Sequence, residues 1–251
     1  MIHCFQKISF FRFIQKITLV IIFIFILILF FYPFLSLALG NIFFGGISQV
    51  YNVRLAQLLF KHAAYPILPV QSPNYAHYQL SRTYFIQGKL SDTLEEAHEE
   101  LRIYPNNTKA YYILGLTHGY MNQTYEAIDA FSLYIEANPQ TWAGRNDKAW
   151  LQFRIGDVDG ALETIQPIIK QYPKTPWVQN TYCALLINKP DRHEEALTVC
   201  TLAKDLADKM TPQDWGHAYP GNDPRIYGEG LQAMKDSATQ NLRIINEKNL
   251  N

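Results

Sequence analysis

The sequence predicts an all-α protein: a single N-terminal transmembrane helix, then a solenoid of about four helix-turn-helix units closed by a C-terminal capping helix. Three observations predict it. No charged residue interrupts the stretch between Lys16 and Arg54, and residues 17–31 are Ile, Leu, Val and Phe apart from Thr18. Pro105, Pro139 and Pro173 recur every 34 residues, and Ala127 and Ala161 share the spacing, a period characteristic of helical repeats. Within each period two apolar-periodic stretches are separated by a polar break.

The zero net charge averages two unlike regions. All 22 acidic residues lie from Asp92 onward, whereas Lys7, Arg12, Lys16, Arg54, Lys61, Arg82 and Lys89 are the basic residues before it. These charges are sparse and flank an apolar run instead of clustering on one helical face, so nucleic acid is not an expected partner. The run itself has membrane composition. At roughly −0.3 to −0.6 kcal/mol per Ile, Leu, Val or Phe, insertion is favoured by several kcal/mol, and Pro33 is tolerated in such a helix. Residues 1–16 read as a short basic segment and 17–39 as the span. A secretory signal peptide is the competing reading, since Ala38-Leu39-Gly40 offers small residues for cleavage. Its apolar region would exceed the usual length of about 7–15 residues, which favours an uncleaved anchor. No cysteine stands directly after the run to accept a lipid; Cys4 precedes it.

Cutting at the 34-residue period gives units 74–107, 108–141 and 142–175 without gaps, and a fourth, 176–209, with one extra residue in its turn. The breaks are Gly88-Lys89, Asn122-Gln123, Gly156-Asp157 and Lys189-Pro190-Asp191. Proline after each second helix removes a donor and stops the helix. Small residues such as Gly115, Ala127, Ala149 and Ala161 let paired helices approach closely.

These residues resemble the tetratricopeptide repeat family, whose 34-residue unit has an aromatic, Leu-Gly, paired alanines and a closing proline. Tyr111, Leu114, Gly115, Ala127, Phe131 and Pro139 make the second unit the best match. Leu80, Ser81, Tyr84, Gly88 and Pro105 fit in the first, where Thr93 replaces the alanine. In the third, Ala149, Gly156, Ala161 and Pro173 fit and Asn146–Trp150 resembles a common variant of the first helix; Lys148 at a leucine position predicts fraying or a register change there. Tyr182, Cys183, Ala196 and Ala203 fit in the fourth.

Both flanks are expected to cap the stack, because a terminal repeat otherwise exposes its apolar face. In region 40–73, Ala56, Phe60 and Ala63 repeat the spacing of a second repeat helix and suggest a half-repeat over 48–65; Pro66, Pro69 and Pro73 then form a stiff connection. In region 210–251, residues 211–222 read as a loop. Asp223-Pro224 starts a helix to about Lys248 with Ile226, Leu231, Met234, Ala238, Leu242 and Ile245 on one stripe.

No HExxH, phosphate-binding glycine loop, GxSxG or dinucleotide fingerprint occurs, and no catalytic residue, cofactor or metal is expected. His62, His77, His98, His118, His193 and His217 are scattered, whereas zinc needs three or four clustered ligands. The acids of His98-Glu99-Glu100 and His193-Glu194-Glu195 read as solvated helix faces, and Asp214, His217 and Asp223 as turn and cap residues.

The resemblance implies a concave groove, formed by successive first helices, that binds a peptide or helix of another protein. Its lining would include Tyr75, Tyr78, Arg82 and Phe85, then Tyr112 and Tyr120, then Asn146, Trp150 and Arg154, and last Trp177 and Asn180. Aromatics and arginine dominate binding hot spots. The family subset that grips a partner's terminal carboxylate uses Lys and Asn where this chain has Tyr78, Arg82, Ala143 and Asp147, so that clamp is not implied. The alternative function is a self-associating assembly component of a membrane complex. Aligned as a repeat, Cys183 and Cys200 face each other across one hairpin, either bonded in an oxidising compartment or packed as small thiols.

Lys7, Arg12 and Lys16 before the span outweigh Arg54 and Lys61 after it, which places the N-terminus in the cytoplasm and the repeats on the non-cytoplasmic side. Alkaline phosphatase fused after Asn251 is therefore expected to be active, and a reporter that requires the cytoplasm inactive; the opposite pattern reverses the orientation.

Overall fold

The computed structural model describes residues 2–45, 51–218 and 226–248, which contain no strand. They fall into two compact units, 1–80 and 81–251, divided within one helix. The first holds α1 (Ile2–Phe43), α2 (Val53–Ala64) and the first half of α3 (Ala76–Phe85). The second holds the remainder of α3, then α4 (Leu90–Ile103), α5 (Lys109–Tyr120), α6 (Thr124–Ala137), α7 (Trp142–Arg154) and α8 (Val158–Gln171). It continues through α9 (Pro176–Leu186), α10 (His193–Asp208), α11 (Pro212–Ala218) and α12 (Tyr227–Glu247).

In the first unit α1 continues beyond the expected 17–39 in both directions: no glycine or proline precedes Pro33, and neither Pro33 nor Gly40 ends the helix. Its stretch from Gln15 to Phe43 is long and apolar enough to cross a membrane. The end of α1 packs on α2. Gly40 makes this possible, since a Cβ there would stand 2.5 Å from the Phe60 ring. Phe44 closes on Phe60 edge-to-face at 5.9 Å, and Ala56, Phe60 and Ala63 are fully buried. Asn52 caps α2 by accepting the Leu55 N–H at 3.0 Å. The stripe expected of a repeat helix is thus met, at Phe60, by α1.

In the second unit each helix packs on its neighbour in sequence from α4 to α10, and α7 also touches α9. The local causes repeat with the period. Gly88, Asn122 and Gly156 stand 34 residues apart in the hairpin turns, at φ 71°, 58° and 86°. Glycine adopts this left-handed backbone without penalty and asparagine tolerates it better than most residues. Tyr104, Asn138 and Tyr172, each before a proline, have φ of −128°, −133° and −124° with ψ of 76°, 70° and 55°, outside the helical region that proline disfavours for its predecessor.

Two departures from the repeat pattern have local explanations. Thr93, in the alanine position, is fully buried, and its hydroxyl donates to the Lys89 carbonyl at 2.9 Å. Lys148 does not fray α7, which is continuous; the half-buried side chain stays in the helix, with its pKa lowered by burial and by neighbouring Arg145.

The extra residue before α10 is absorbed in a 3₁₀ turn, Pro190–Arg192. Arg192 clamps this turn, donating to Glu195 Oε2 at 2.8 Å and to the Tyr182 hydroxyl at 2.6 Å. Tyr182 in turn donates to Glu195 Oε1. A disulfide joins Cys183 of α9 to Cys200 of α10, inside a core of Val178, Leu185, Leu186, Ile165 and Ile168.

The C-terminal region differs from expectation in two ways. Thr211 starts a short helix, α11, within the expected loop: its Oγ1 accepts the Asp214 N–H at 3.2 Å while the Asp214 carboxylate accepts the Thr211 N–H at 2.9 Å, a reciprocal cap followed by a first-turn proline. Asp214 is thus a capping residue. The cap expected at Asp223-Pro224 and the side chain of His217 lie outside the described residues. On α12, Leu231, Met234, Ala238 and Ile245 are buried, and Leu242 packs against the core that Ile245 enters. Ile226 is 43% exposed, because α12 begins only at Tyr227 and leaves it ahead of the helical stripe.

Burial, reinforced by the hydrogen bond to Glu195, pushes the Tyr182 hydroxyl from 10.0 up to about 12. The unfolded chain loses this proton near pH 10 and the folded chain near 12, so the contribution is complete below pH 10 and disappears as pH rises to 12. The melting temperature is expected to fall over that interval, and to fall less steeply in Tyr182→Phe.

Candidate functional site

In the second unit, α5, α6 and α7 enclose a cleft of about 450 Å³. Its floor is apolar: Gly115, Leu116 and Gly119 of α5, Phe131 of α6 and Leu151 of α7. The two glycines lie one helical turn apart on the same face. A Cβ on Gly115 would stand 2.8 Å from the Phe131 ring, whereas one on Gly119 would meet only Leu151, at 3.9 Å. Gly115 therefore sets the closeness of α5 and α6, and Gly119 leaves the hollow open.

Asp147 and Tyr112 tie α5 to α7. The Tyr112 hydroxyl donates to Asp147 Oδ2 at 2.8 Å, and its ring packs against Phe131 and Tyr134 at 5.6 and 5.1 Å. The rim carries the groups free to bind. Tyr120 is 71% and Trp150 42% exposed, their rings steadied by Phe85 at 5.3 Å and Phe153 at 5.5 Å. Arg154 lines the cleft and is exposed. Among the described residues it has no ion-pair partner.

Of the residues implied for the groove, Tyr120, Trp150 and Arg154 converge here, and Phe85 supports them. Tyr112 is a bridge beneath the site, with its hydroxyl committed to Asp147. Asn146 is buried and bonds to Asp147 Oδ1. Trp177 pairs with Trp142 at 5.6 Å, and Asn180 is engaged by Ser237 and Asn241 of the capping helix, both at 3.0 Å. Arg82 is half-buried on α3 and does not line the cleft. Tyr75 and Tyr78 meet edge-to-face at 6.1 Å within the first unit. Sequence reasoning missed Gly115, Leu116, Gly119, Asn122, Phe131, Asp147 and Leu151 as lining residues. The Gly115-x-x-x-Gly119 spacing was the available signal, because two glycines on one face of a helix leave a depression. Among the described residues no three His, Cys, Asp or Glu side chains are grouped to hold a metal.

This is an all-α tetratricopeptide-repeat fold. Residues 148–175 match the tetratricopeptide repeat family model, and the matched segment runs from the middle of α7 through α8. No curated protein matches the chain. Among solved structures, MamA is 19% identical with a TM-score of 0.58, over 71% of this chain and 93% of that one. YrrB, described as a TPR protein with an unusual peptide-binding site, is 19% identical with a TM-score of 0.55, over 69% and 86%. A thermophilic TPR protein from Thermus thermophilus is 18% identical with a TM-score of 0.54, over 80% and 99%. At these identities the likeness is one of fold.

Gly115→Val is expected to destabilise the protein by about 1–3 kcal/mol, the usual range for overpacking, because Phe131 is enclosed and cannot yield. Gly119→Ala should leave the melting temperature unchanged or raise it, since alanine is the better helix former by about 1 kcal/mol. Thermal denaturation of both variants checks the contrast.

Proposed function

We propose that the protein is a membrane-anchored interaction scaffold that holds a peptide or helical segment of another protein in the cleft between α5 and α7. The observation that carries this reading is the grouping of Tyr120, Trp150 and an exposed Arg154 around a hollow with an apolar floor. Such a site suits an apolar or aromatic side chain against Gly119 and Leu151, flanked by an acidic group or backbone carbonyls reaching Arg154. Aromatic rings combine large contact area with low ordering cost, and arginine adds directional bonds. Asp147 opposes a partner carboxylate at the inner end and orients the segment with its acidic group toward Arg154.

The apolar helix α1 supports anchoring, and the basic residues ahead of it support a cytoplasmic N-terminus. The Cys183–Cys200 bond supports a non-cytoplasmic position for the repeats, since such bonds persist in oxidising compartments. YrrB, which shares the fold, is described by its peptide-binding site.

A photo-crosslinking residue at Tyr120 or Trp150 in the full chain is expected to capture one discrete protein, and the same residue at exposed Glu163 of α8 is not. Trp150→Ala and Arg154→Ala should each weaken that complex by about 1 kcal/mol or more, the scale of binding hot spots, with the helical signal intact. Equal capture from all three positions, or unchanged binding by both variants, overturns the assignment. Capture of a second copy of this chain would favour self-association instead.

A further inference from the structure

The first unit carries an apolar and basic surface that the peptide-binding reading does not use. Helix α1 is open on nearly every face through residues 17–31, whereas Pro33, Gly40 and Phe44 are buried. The change occurs at Tyr32. Its hydroxyl accepts the backbone N–H of Ile67, which draws the chain leaving α2 back along α1, about 16 Å from the end of that helix at 1.5 Å per residue. Tyr65-Pro66-Ile67-Leu68-Pro69 is thereby held beside the C-terminal end of the uncharged run. Ile67 is 76% exposed there.

The outer face of α2 continues this surface. Arg54, Leu58, Lys61, His62 and Tyr65 are all exposed and their spacing puts them on one helical stripe. No acidic residue occurs before Asp92, so nothing in the first unit offsets their charge. Basic residues alternating with Leu and Tyr suit the plane of a membrane interface, where aliphatic groups enter the acyl boundary and cations meet anionic headgroups.

We propose that residues 54–69 form a bilayer-docking surface, with Ile67 entering the acyl boundary and Arg54 and Lys61 resting on anionic phospholipid headgroups. The inference rests on reading α1 as a membrane span. Residues 17–32 supply about 24 Å of helix, somewhat short of a hydrocarbon core of about 30 Å. Phe34 and Leu35, exposed on the side of α1 left uncovered, extend it to about 29 Å, so that Ile67, level with Tyr32, lies just inside the acyl boundary. The chain is thus held to the bilayer by a helix and a collar.

Spin labels placed singly at Ile67→Cys, Ile26→Cys and Tyr125→Cys in full-length Cys4→Ser protein test this, with the native disulfide leaving no other free thiol. The protein is reconstituted in nanodiscs of phosphatidylcholine with or without phosphatidylglycerol, and accessibility to oxygen and to a water-soluble nickel complex is compared. The label at 26 is expected to report lipid and that at 125 water. The label at 67 is expected to lie on the lipid side, and to shift toward the value at 125 without phosphatidylglycerol or in Arg54→Gln/Lys61→Gln. A lipid-buried 26 with a fully aqueous 67 overturns the docking surface and leaves the anchor standing. An aqueous 26 overturns both, and a lipid-side 67 indifferent to charge overturns the headgroup contact.

Discussion

The architecture of residues 81–251 depends on how closely the two helices of each hairpin approach. At α5 and α6 the distance is set by a missing side chain: Gly115 presents bare backbone to the Phe131 ring, with no room for even a methyl group between them. Ala127, Ala149 and Ala161 are likewise buried without residual exposure. Close approach turns a weak amphipathic stripe into a continuous core, because each helix then packs on both its partner and the next unit. The turns enforce the same geometry, since a left-handed residue at 88, 122 and 156 reverses the chain within a few positions.

The cleft is a by-product of that constraint. With α5 pinned to α6 by Gly115 and to α7 by the Tyr112–Asp147 hydrogen bond, the neighbouring Gly119 cannot collapse onto Leu151, and a hollow remains. Its rim then projects Tyr120, Trp150 and Arg154 from the ends of two helices. At the fourth unit the equivalent face is closed. Asn180 is bonded to Ser237 and Asn241, and Lys248 donates to the Ile187 carbonyl at 2.8 Å, so α12 occupies the surface that a following repeat would cover. The disulfide and the Arg192–Tyr182–Glu195 network stiffen the same end.

Part of the candidate site is legible in the sequence. The repeat positions of Tyr120, Trp150 and Arg154 put them on first helices, and the cleft brings these three together. Asn146, Asn180 and Trp177 occupy comparable positions but are taken by packing: a buried amide, a contact with the capping helix and a tryptophan pair. Periodicity reports which face of a helix a residue is on. It does not report whether another element already covers that face.

The sequence alone determined the helical class, the 34-residue period, the places where hairpins turn and stop, and an apolar segment of membrane-spanning length. These are local properties: proline and glycine dihedrals, apolar spacing and the absence of charge act within a few residues. Tertiary structure decided the rest. It joined Tyr112 to Asp147 across 35 positions, let Gly119 be a hollow while Gly115 is a contact, folded a helix into the loop before α12, and brought Ile67 back to Tyr32. Each of these depends on which surfaces meet after the chain has doubled back, and the distance between two side chains on different helices is written in no short stretch of sequence.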